Sequence, residues 1–87
     1  MKRKECLEAA IKAVCEDRES TYGSPEDHFE LISKLWSDYT GSSICADDVA
    51  NMMVLLKIAR AKNGKHHSDS YVDIAGYAAC AAEINDF

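Results

Sequence analysis

Four apolar segments with helical spacing, separated by short polar breaks, constrain the fold of this chain more than any other feature. Within each segment, apolar residues recur at steps of three and four residues, the periodicity of an amphipathic α-helix. Gly23, Gly41 and Gly64 lie in the breaks, where helices commonly end. The pattern predicts four helices, at about 3–18, 24–40, 46–62 and 68–85.

The second and third predicted helices carry the most informative local signals. Ser24 can cap the second helix, and Pro25 occupies its first position, where a missing backbone N–H costs nothing. Asp27 follows in the first turn, where a carboxylate suits the positive end of the helix dipole. The third helix is apolar nearly all round, which predicts that it is the most buried of the four.

The connections between the predicted helices are short, and short connections favour antiparallel neighbours. We therefore predict an all-α protein, a four-helix up-down-up-down bundle that forms a single domain. With 87 residues, the chain is near the lower limit of what folds on an ordinary core. Small domains often gain stability by association, so a homo-oligomer is expected.

Charge and composition narrow the classes of partner. The net charge is −5, and this acidic balance disfavours duplex nucleic acid as a partner. No run of about 18 apolar residues occurs, and acids interrupt the N-terminal stretch, so we expect neither a membrane span nor a secretory signal. The four cysteines contain no C-x-x-C pair, which argues against a zinc site and fits reduced thiols in the cytoplasm.

The predicted topology brings two unusual loops together. In an up-down-up-down bundle, the loop after the first helix and the loop after the third lie at the same end. These loops contain TYGSPED (residues 21–27) and KNGKHHSDS (residues 62–70). Each leads into a helix N-terminus with unpaired N–H groups and a positive dipole end, which favours a phosphate or carboxylate ligand.

Positive charge collects at the same end. Between Lys57 and His67 the chain carries four lysine or arginine residues and no acid. Tyr22 offers an aromatic face on which a base could stack. The alternative is that these cations only offset the dipole of the helix C-terminus. The candidate ligand-binding residues are Arg18, Tyr22, Gly23, Ser24, Lys57, Arg60, Lys65 and Asp73.

Carboxylates also gather near this end, with Asp27 and Glu30 on the second helix and Asp69 and Asp73 on the fourth. Oxygen ligands from two helices could hold Mg²⁺, which commonly bridges to phosphates. The alternative is that Asp27 and Asp69 are helix caps and that Glu30 is solvated. Asp73 lies in the apolar segment YVDIAGYAA, so a structural ion pair with Arg60 is the rival explanation for it.

Several motifs resemble one known family. The segments R-x-x-TYGSPEDHF, LW-x-x-Y, DVANMMVLLKIAR and DSYVDIAGYAA together resemble a family of short proteins encoded by bacteriophages and prophages. The resemblance covers about residues 10–84. The function of that family is unknown, so the resemblance implies a phage origin and a location in the host cytoplasm but supplies no activity.

The segment DSYVDIAGYAA is also remotely similar to a helix of the MazG-like nucleotide pyrophosphohydrolases. Those all-α enzymes cleave nucleoside triphosphates between the α and β phosphates with Mg²⁺, and the resemblance would make Asp73 a metal-binding acid supported by Asp69. They carry an E-x-x-E pair on one helix and an E-x-x-D pair on another. The nearest counterparts here depart from that pattern: Asp27 with Glu30, and Asp69 with Asp73 or Asp48 with Asn51.

Three functional hypotheses follow from these observations. The first is an anti-defence protein that binds a nucleotide at the basic end of the bundle without a cofactor and sequesters a host immune signal, such as a cyclic dinucleotide or an ADP-ribose derivative. The second is a Mg²⁺-dependent nucleoside triphosphate pyrophosphohydrolase. The third is a module that binds a host protein through apolar helix faces.

Overall fold

The computed structural model describes the backbone of residues 1–17, 25–63 and 68–86, and the side chains of all of these except residues 25, 26 and 68. The described residues form four helices and no strand, so the predicted all-α helical bundle is confirmed. The helices are α1 (Arg3–Ile11), which continues as a π-helical segment over Lys12–Asp17, α2 (Pro25–Thr40), α3 (Ala46–Lys62) and α4 (Ser68–Asn85).

The first helix differs from the prediction in its second half. The sequence pattern predicts one helix over about 3–18, whereas the regular α-helix ends at Ile11 and a π-helical segment takes over at Lys12. π-helical turns are rare, and six residues are too few for their wider period to show in the apolar spacing. The π-helical segment carries Val14, through which this part of the chain packs against α4.

Helices α3 and α4 form an antiparallel hairpin, which makes the most extensive helix–helix contact among the described residues. Lys57 pairs with Asp73, while Val49 and Ala50 share a core cluster with Cys80 and Ala81. Later residues of α3 therefore pair with earlier residues of α4, as in an antiparallel hairpin. The ion pair lies toward the end of the hairpin where α3 ends and α4 begins.

Within the described ranges, the hydrophobic core is small. Its buried cluster contains Phe29 from α2, Val49 and Ala50 from α3, and Cys80 and Ala81 from α4. Half-buried residues surround this cluster, among them Val14, Ile32, Trp36, Tyr77 and Ile84.

The prediction that α3 is the most buried helix is wrong. One side of α3 packs on α4 and α2, but Met52, Leu55 and Leu56 on its other side are 41 %, 64 % and 44 % exposed. The sequence shows correctly that α3 is apolar all round, yet the chain supplies neighbours for only part of that surface.

A polar turn fixes α2 against the start of α3. The Ser37 hydroxyl donates a hydrogen bond to the Ile44 carbonyl (3.1 Å) and accepts one from the Ile44 N–H (2.9 Å). Gly41 has φ +72°, a left-handed conformation that L side chains rarely adopt. The Asp48 carboxylate accepts a hydrogen bond from the backbone N–H of Cys45 (2.9 Å) and so caps the start of α3.

Gly76 allows the π-helical segment to approach α4 closely. A Cβ atom at this position would lie 2.7 Å from Cγ1 of Val14, well inside van der Waals contact. The glycine in the middle of a helix is therefore explained by packing, which offsets its low helix propensity.

No helix in the described ranges combines the length and the apolar character that crossing a lipid bilayer requires.

Candidate functional site

The candidate site centres on an ion pair between the two helices of the hairpin. Lys57 Nζ lies 2.9 Å from Asp73 Oδ2, a distance typical of a charge-assisted hydrogen bond. The side chain of Lys57 is 16 % exposed and that of Asp73 is 33 % exposed. The pair is thus partly withdrawn from solvent but remains within reach of it, and its charges attract each other more strongly than those of a fully solvated pair.

The partner of Asp73 differs from the one that the sequence suggested. The rival explanation for Asp73 paired it with Arg60, but Lys57 forms the ion pair and Arg60 is exposed. The antiparallel register of α3 and α4 explains the difference, since it places Lys57 level with Asp73. Arg60 follows three residues later, so it lies almost one turn further along α3 and is rotated about 60° around the helix axis.

A small recess lies beside the ion pair, between the π-helical segment and α4. It is lined by Ala13, Val14, Val72, Asp73 and Tyr77, and its volume is about 60 Å³. This space can hold water molecules but not a nucleotide. A nucleotide at this site would therefore have to lie over the ion pair, on the outer surface of the bundle.

The predicted ligand set is only partly covered by the structure. Lys57, Arg60 and Asp73 are described, and the structure brings Lys57 and Asp73 together. The remaining candidates lie outside the described residues: Arg18, Tyr22, Gly23, Ser24 and Lys65. Their part in the site, and the meeting of the two loops at one end, remain predictions.

The four predicted metal ligands, Asp27, Glu30, Asp69 and Asp73, all lie among the described residues. Asp27, Glu30 and Asp69 are exposed, and Asp73 is engaged by Lys57. No three ligand atoms from these four acids, all of which the structure describes, lie within 4.8 Å of one another. A Mg²⁺ ion held jointly by α2 and α4 stays a prediction.

One cluster with metal-ligand geometry does occur in the described part of the chain, at the start of α3. Ligand atoms of Cys45, Asp47 and Asp48 all lie within 4.8 Å of one another. Asp48 is already used there as the cap of α3, and acids in a first helical turn are favoured by the helix dipole. The cluster is therefore explained as a helix start. The D-D pair after Cys45 marks this start in the sequence.

The sequence pattern does not predict one groove that occurs among the described residues. It lies between α2 and the start of α3, and its volume is about 540 Å³. Its lining residues are Glu30, Ser33, Lys34, Ser37, Asp38, Ile44, Cys45 and Ala46. Glu30 thus belongs to this groove, which carries both acids and a lysine. The four-residue spacing of Ser33 and Ser37 on α2 is the one sequence signal that could have revealed it.

Comparison with known proteins places the chain in a family. Residues 5–85 match the family described as Domain of unknown function (DUF6378). The "Gene 55 protein" of Mycobacterium phage D29 is 44 % identical over 78 residues, which cover 90 % of this chain and 52 % of the phage protein. The "Gene 55 protein" of Mycobacterium phage L5 is 42 % identical over 73 residues, which cover 83 % of this chain and 47 % of that protein.

The chain spans about half the length of these curated relatives. No solved structure matches it. The expected resemblance to a phage-encoded family is confirmed, and the remote similarity to MazG-like enzymes stays a prediction. The chain belongs to the DUF6378 family, an all-helical family with phage members whose function is unknown.

Proposed function

We propose that this phage-family protein binds a nucleotide, with the phosphates held near Lys57 at the end of the α3–α4 hairpin. The observation that carries the proposal is the Lys57–Asp73 ion pair, which holds a lysine amine at the edge of the bundle instead of extending it into solvent. An amine fixed in this way retains donors for an incoming anion, because a lysine has three. Its position is set before the ligand arrives, which reduces the entropy lost on binding.

The surroundings of Lys57 favour an anionic ligand. Arg60 and Lys62 follow in the last turn of α3, and both side chains are exposed. The chain continues into Lys65, His66 and His67 without an acid, although the protein as a whole has a net charge of −5. A local excess of cations on an acidic protein concentrates anions at that place.

Binding is favoured over catalysis because the described residues contain no complete catalytic set. Asp73, which lies beside the cation Lys57, is paired with it. A protein of this kind could sequester a host immune signal, either a cyclic dinucleotide or an ADP-ribose derivative, since both contain phosphates and a stacking base. Tyr22 is the candidate stacking residue under this proposal.

Isothermal titration calorimetry with a panel of cyclic dinucleotides, ADP-ribose derivatives and nucleoside triphosphates tests the proposal. One ligand class should bind, and Lys57→Met should weaken its binding at least tenfold. Lys34→Met on α2 is the matched control, because it also removes one lysine charge but lies by the groove at the start of α3. Absence of heat with every ligand refutes the proposal, and so does equal weakening by both variants.

A Mg²⁺-dependent pyrophosphohydrolase is the second candidate, and it rests on the similarity of DSYVDIAGYAA to MazG-like enzymes. It requires Asp69 and Asp73 to meet the acids of α2, which the described geometry does not show. We therefore expect no pyrophosphate release from nucleoside triphosphates with Mg²⁺ or Mn²⁺. Release that Asp73→Asn abolishes would reverse the ranking of the two candidates.

A further inference from the structure

The outer side of α3 is an apolar stripe without a partner among the described residues. Met52, Leu55, Leu56 and Ala59 follow the spacing i, i+3, i+4, i+7 and therefore lie on one side of the helix. All four are exposed, whereas Ala50, on the opposite side of the helix, is completely buried. A helix that is apolar on all sides is normally surrounded by protein, so the composition of this exposed stripe is typical of a buried surface.

Helix α2 shows the same feature. Phe29, Ile32 and Trp36 face the core, while Leu31 and Leu35 are 58 % and 59 % exposed. Successive residues of an α-helix are rotated by about 100° around its axis, which places Leu35 and then Leu31 beside the core-facing residues, in one apolar arc. Tyr39, one turn beyond Leu35, is 92 % exposed and extends this arc toward the end of α2. The core therefore covers only half of the apolar face of α2.

We propose that these two stripes form a self-association surface, to which a second copy of this chain docks. We call it the outer α2–α3 surface and define it by six residues: Leu31, Leu35, Tyr39, Met52, Leu55 and Leu56. Their exposed fractions run from 41 % to 92 %. Monomeric proteins rarely leave contiguous apolar patches larger than a few hundred Å² in water.

The area and the chemistry of this surface fit a second copy. Six large side chains exposed to this extent offer several hundred Å² per chain, on the order of the roughly 800 Å² that each partner contributes to a standard interface. In a two-fold arrangement the same patch meets itself, and an uncharged apolar patch is complementary to itself. The charged residues of α3 near the stripe lie before it (Asp48) or after it (Arg60 and Lys62), so charges need not be buried at its centre.

The size of the core also favours a copy of the chain over a different partner. Among the described residues the buried cluster contains five, which is a small core for a domain. Domains of this size commonly gain the missing stability by association with themselves, because the second copy is present wherever the protein is made. The Ser37–Ile44 hydrogen bonds fix the turn between α2 and α3, which holds the two stripes in place before association.

Light scattering coupled to size-exclusion chromatography tests the proposal on the full chain at concentrations from 1 to 100 µM, a range of the order at which oligomers of moderate affinity assemble. The wild-type protein should elute as a dimer or a larger even oligomer. Leu35→Glu and Leu55→Glu should each weaken association at least tenfold. Leu7→Glu on α1 is the matched control. Leu7 is 58 % exposed, almost the same as Leu35 at 59 %, but it lies outside the proposed surface.

Tyr39→Asp separates loss of association from loss of folding. The Tyr39 side chain is 92 % exposed and has almost no intrachain contact to lose, so the monomer should keep its helical circular dichroism. Loss of the oligomer in this folded variant supports the proposal even if the leucine variants unfold. A wild-type monomer at 100 µM overturns it, and so does an oligomer that resists Tyr39→Asp or dissociates equally with Leu7→Glu.

Discussion

The close approach of Val14 to Gly76 allows a sharp test of how the first helix packs on the rest of the protein. Replacing glycine by alanine in the middle of a helix normally stabilises it by about 1 kcal/mol. Here the new Cβ would lie 2.7 Å from Cγ1 of Val14. Valine is branched at Cβ and has few rotamers to retreat into, so the backbone segments must move apart.

The magnitude follows from these two opposing effects. Overpacking of this kind costs about 1–3 kcal/mol, which exceeds the gain in helix propensity. We therefore expect Gly76→Ala to lower the free energy of unfolding by about 1 kcal/mol. In a Val14→Ala background the clashing methyl group is absent, and the same substitution should raise the free energy of unfolding by about 1 kcal/mol.

Urea denaturation followed by circular dichroism at one protein concentration measures all four members of this double-mutant cycle. The coupling energy between the two positions should be about 2 kcal/mol, within the range found for residues in direct contact. Equal effects of Gly76→Ala in both backgrounds would refute the reasoning, since they would show that the π-helical segment does not press on α4 at this point.

Three further predictions concern the turn and the ion pair. Ser37→Ala removes both hydrogen bonds to Ile44 and should lower the free energy of unfolding by about 1–2 kcal/mol, measured by urea titration. Gly41→Ala should lower the free energy of unfolding by about 1 kcal/mol through backbone strain alone, because nothing lies within 4 Å of the new Cβ. Gly41→Asn should lower it less, because asparagine adopts the left-handed conformation more readily, and equal losses for the two variants would contradict this. Asp73→Asn leaves the partly buried Lys57 without its counter-charge and should lower the free energy of unfolding by about 1 kcal/mol. The loss should be smaller at high salt, and an unchanged melting temperature would show that the ion pair does not stabilise the fold.

The helices could be predicted from the sequence because their signals are local. The spacing of apolar residues and the positions of Gly41 and Pro25 act within a few residues, so they mark α2, α3 and the break between them. The change to a π-helix at Lys12 was not predictable from this spacing, since the six π-helical residues are too few to show a period of their own. It becomes visible only through the packing of Val14 on Gly76.

Burial could be predicted less well, because the sequence shows that a side is apolar but not which molecule covers it. The pattern of α3 is that of a surrounded helix, yet Leu55 and Leu56 are open within the chain. A sequence pattern adapted to an oligomer and one adapted to a larger core look alike. The failed prediction for α3 is therefore the observation from which the self-association surface follows.

The pairing of the candidate residues could not be predicted from the sequence. The sequence places Lys57 and Asp73 among the functional candidates, and the structure brings them within 2.9 Å. Whether Lys57 or Arg60 meets Asp73 depends on the rotation and register of two helices. A register is set by side-chain packing along the whole α3–α4 contact, which no short motif encodes. The proposed Mg²⁺ ligands required a similar long-range coincidence between α2 and α4, and the structure does not show it.

Native mass spectrometry of the protein purified from bacterial cells tests the central claim, nucleotide binding at Lys57, most directly. We expect the wild-type protein to carry a phosphorylated nucleotide, either retained from the cells or acquired from added cyclic dinucleotides, ADP-ribose derivatives or nucleoside triphosphates. Lys57→Met should lose that added mass, while Lys34→Met should keep it. A wild-type protein that shows only the mass of its own chains after every addition would contradict the claim.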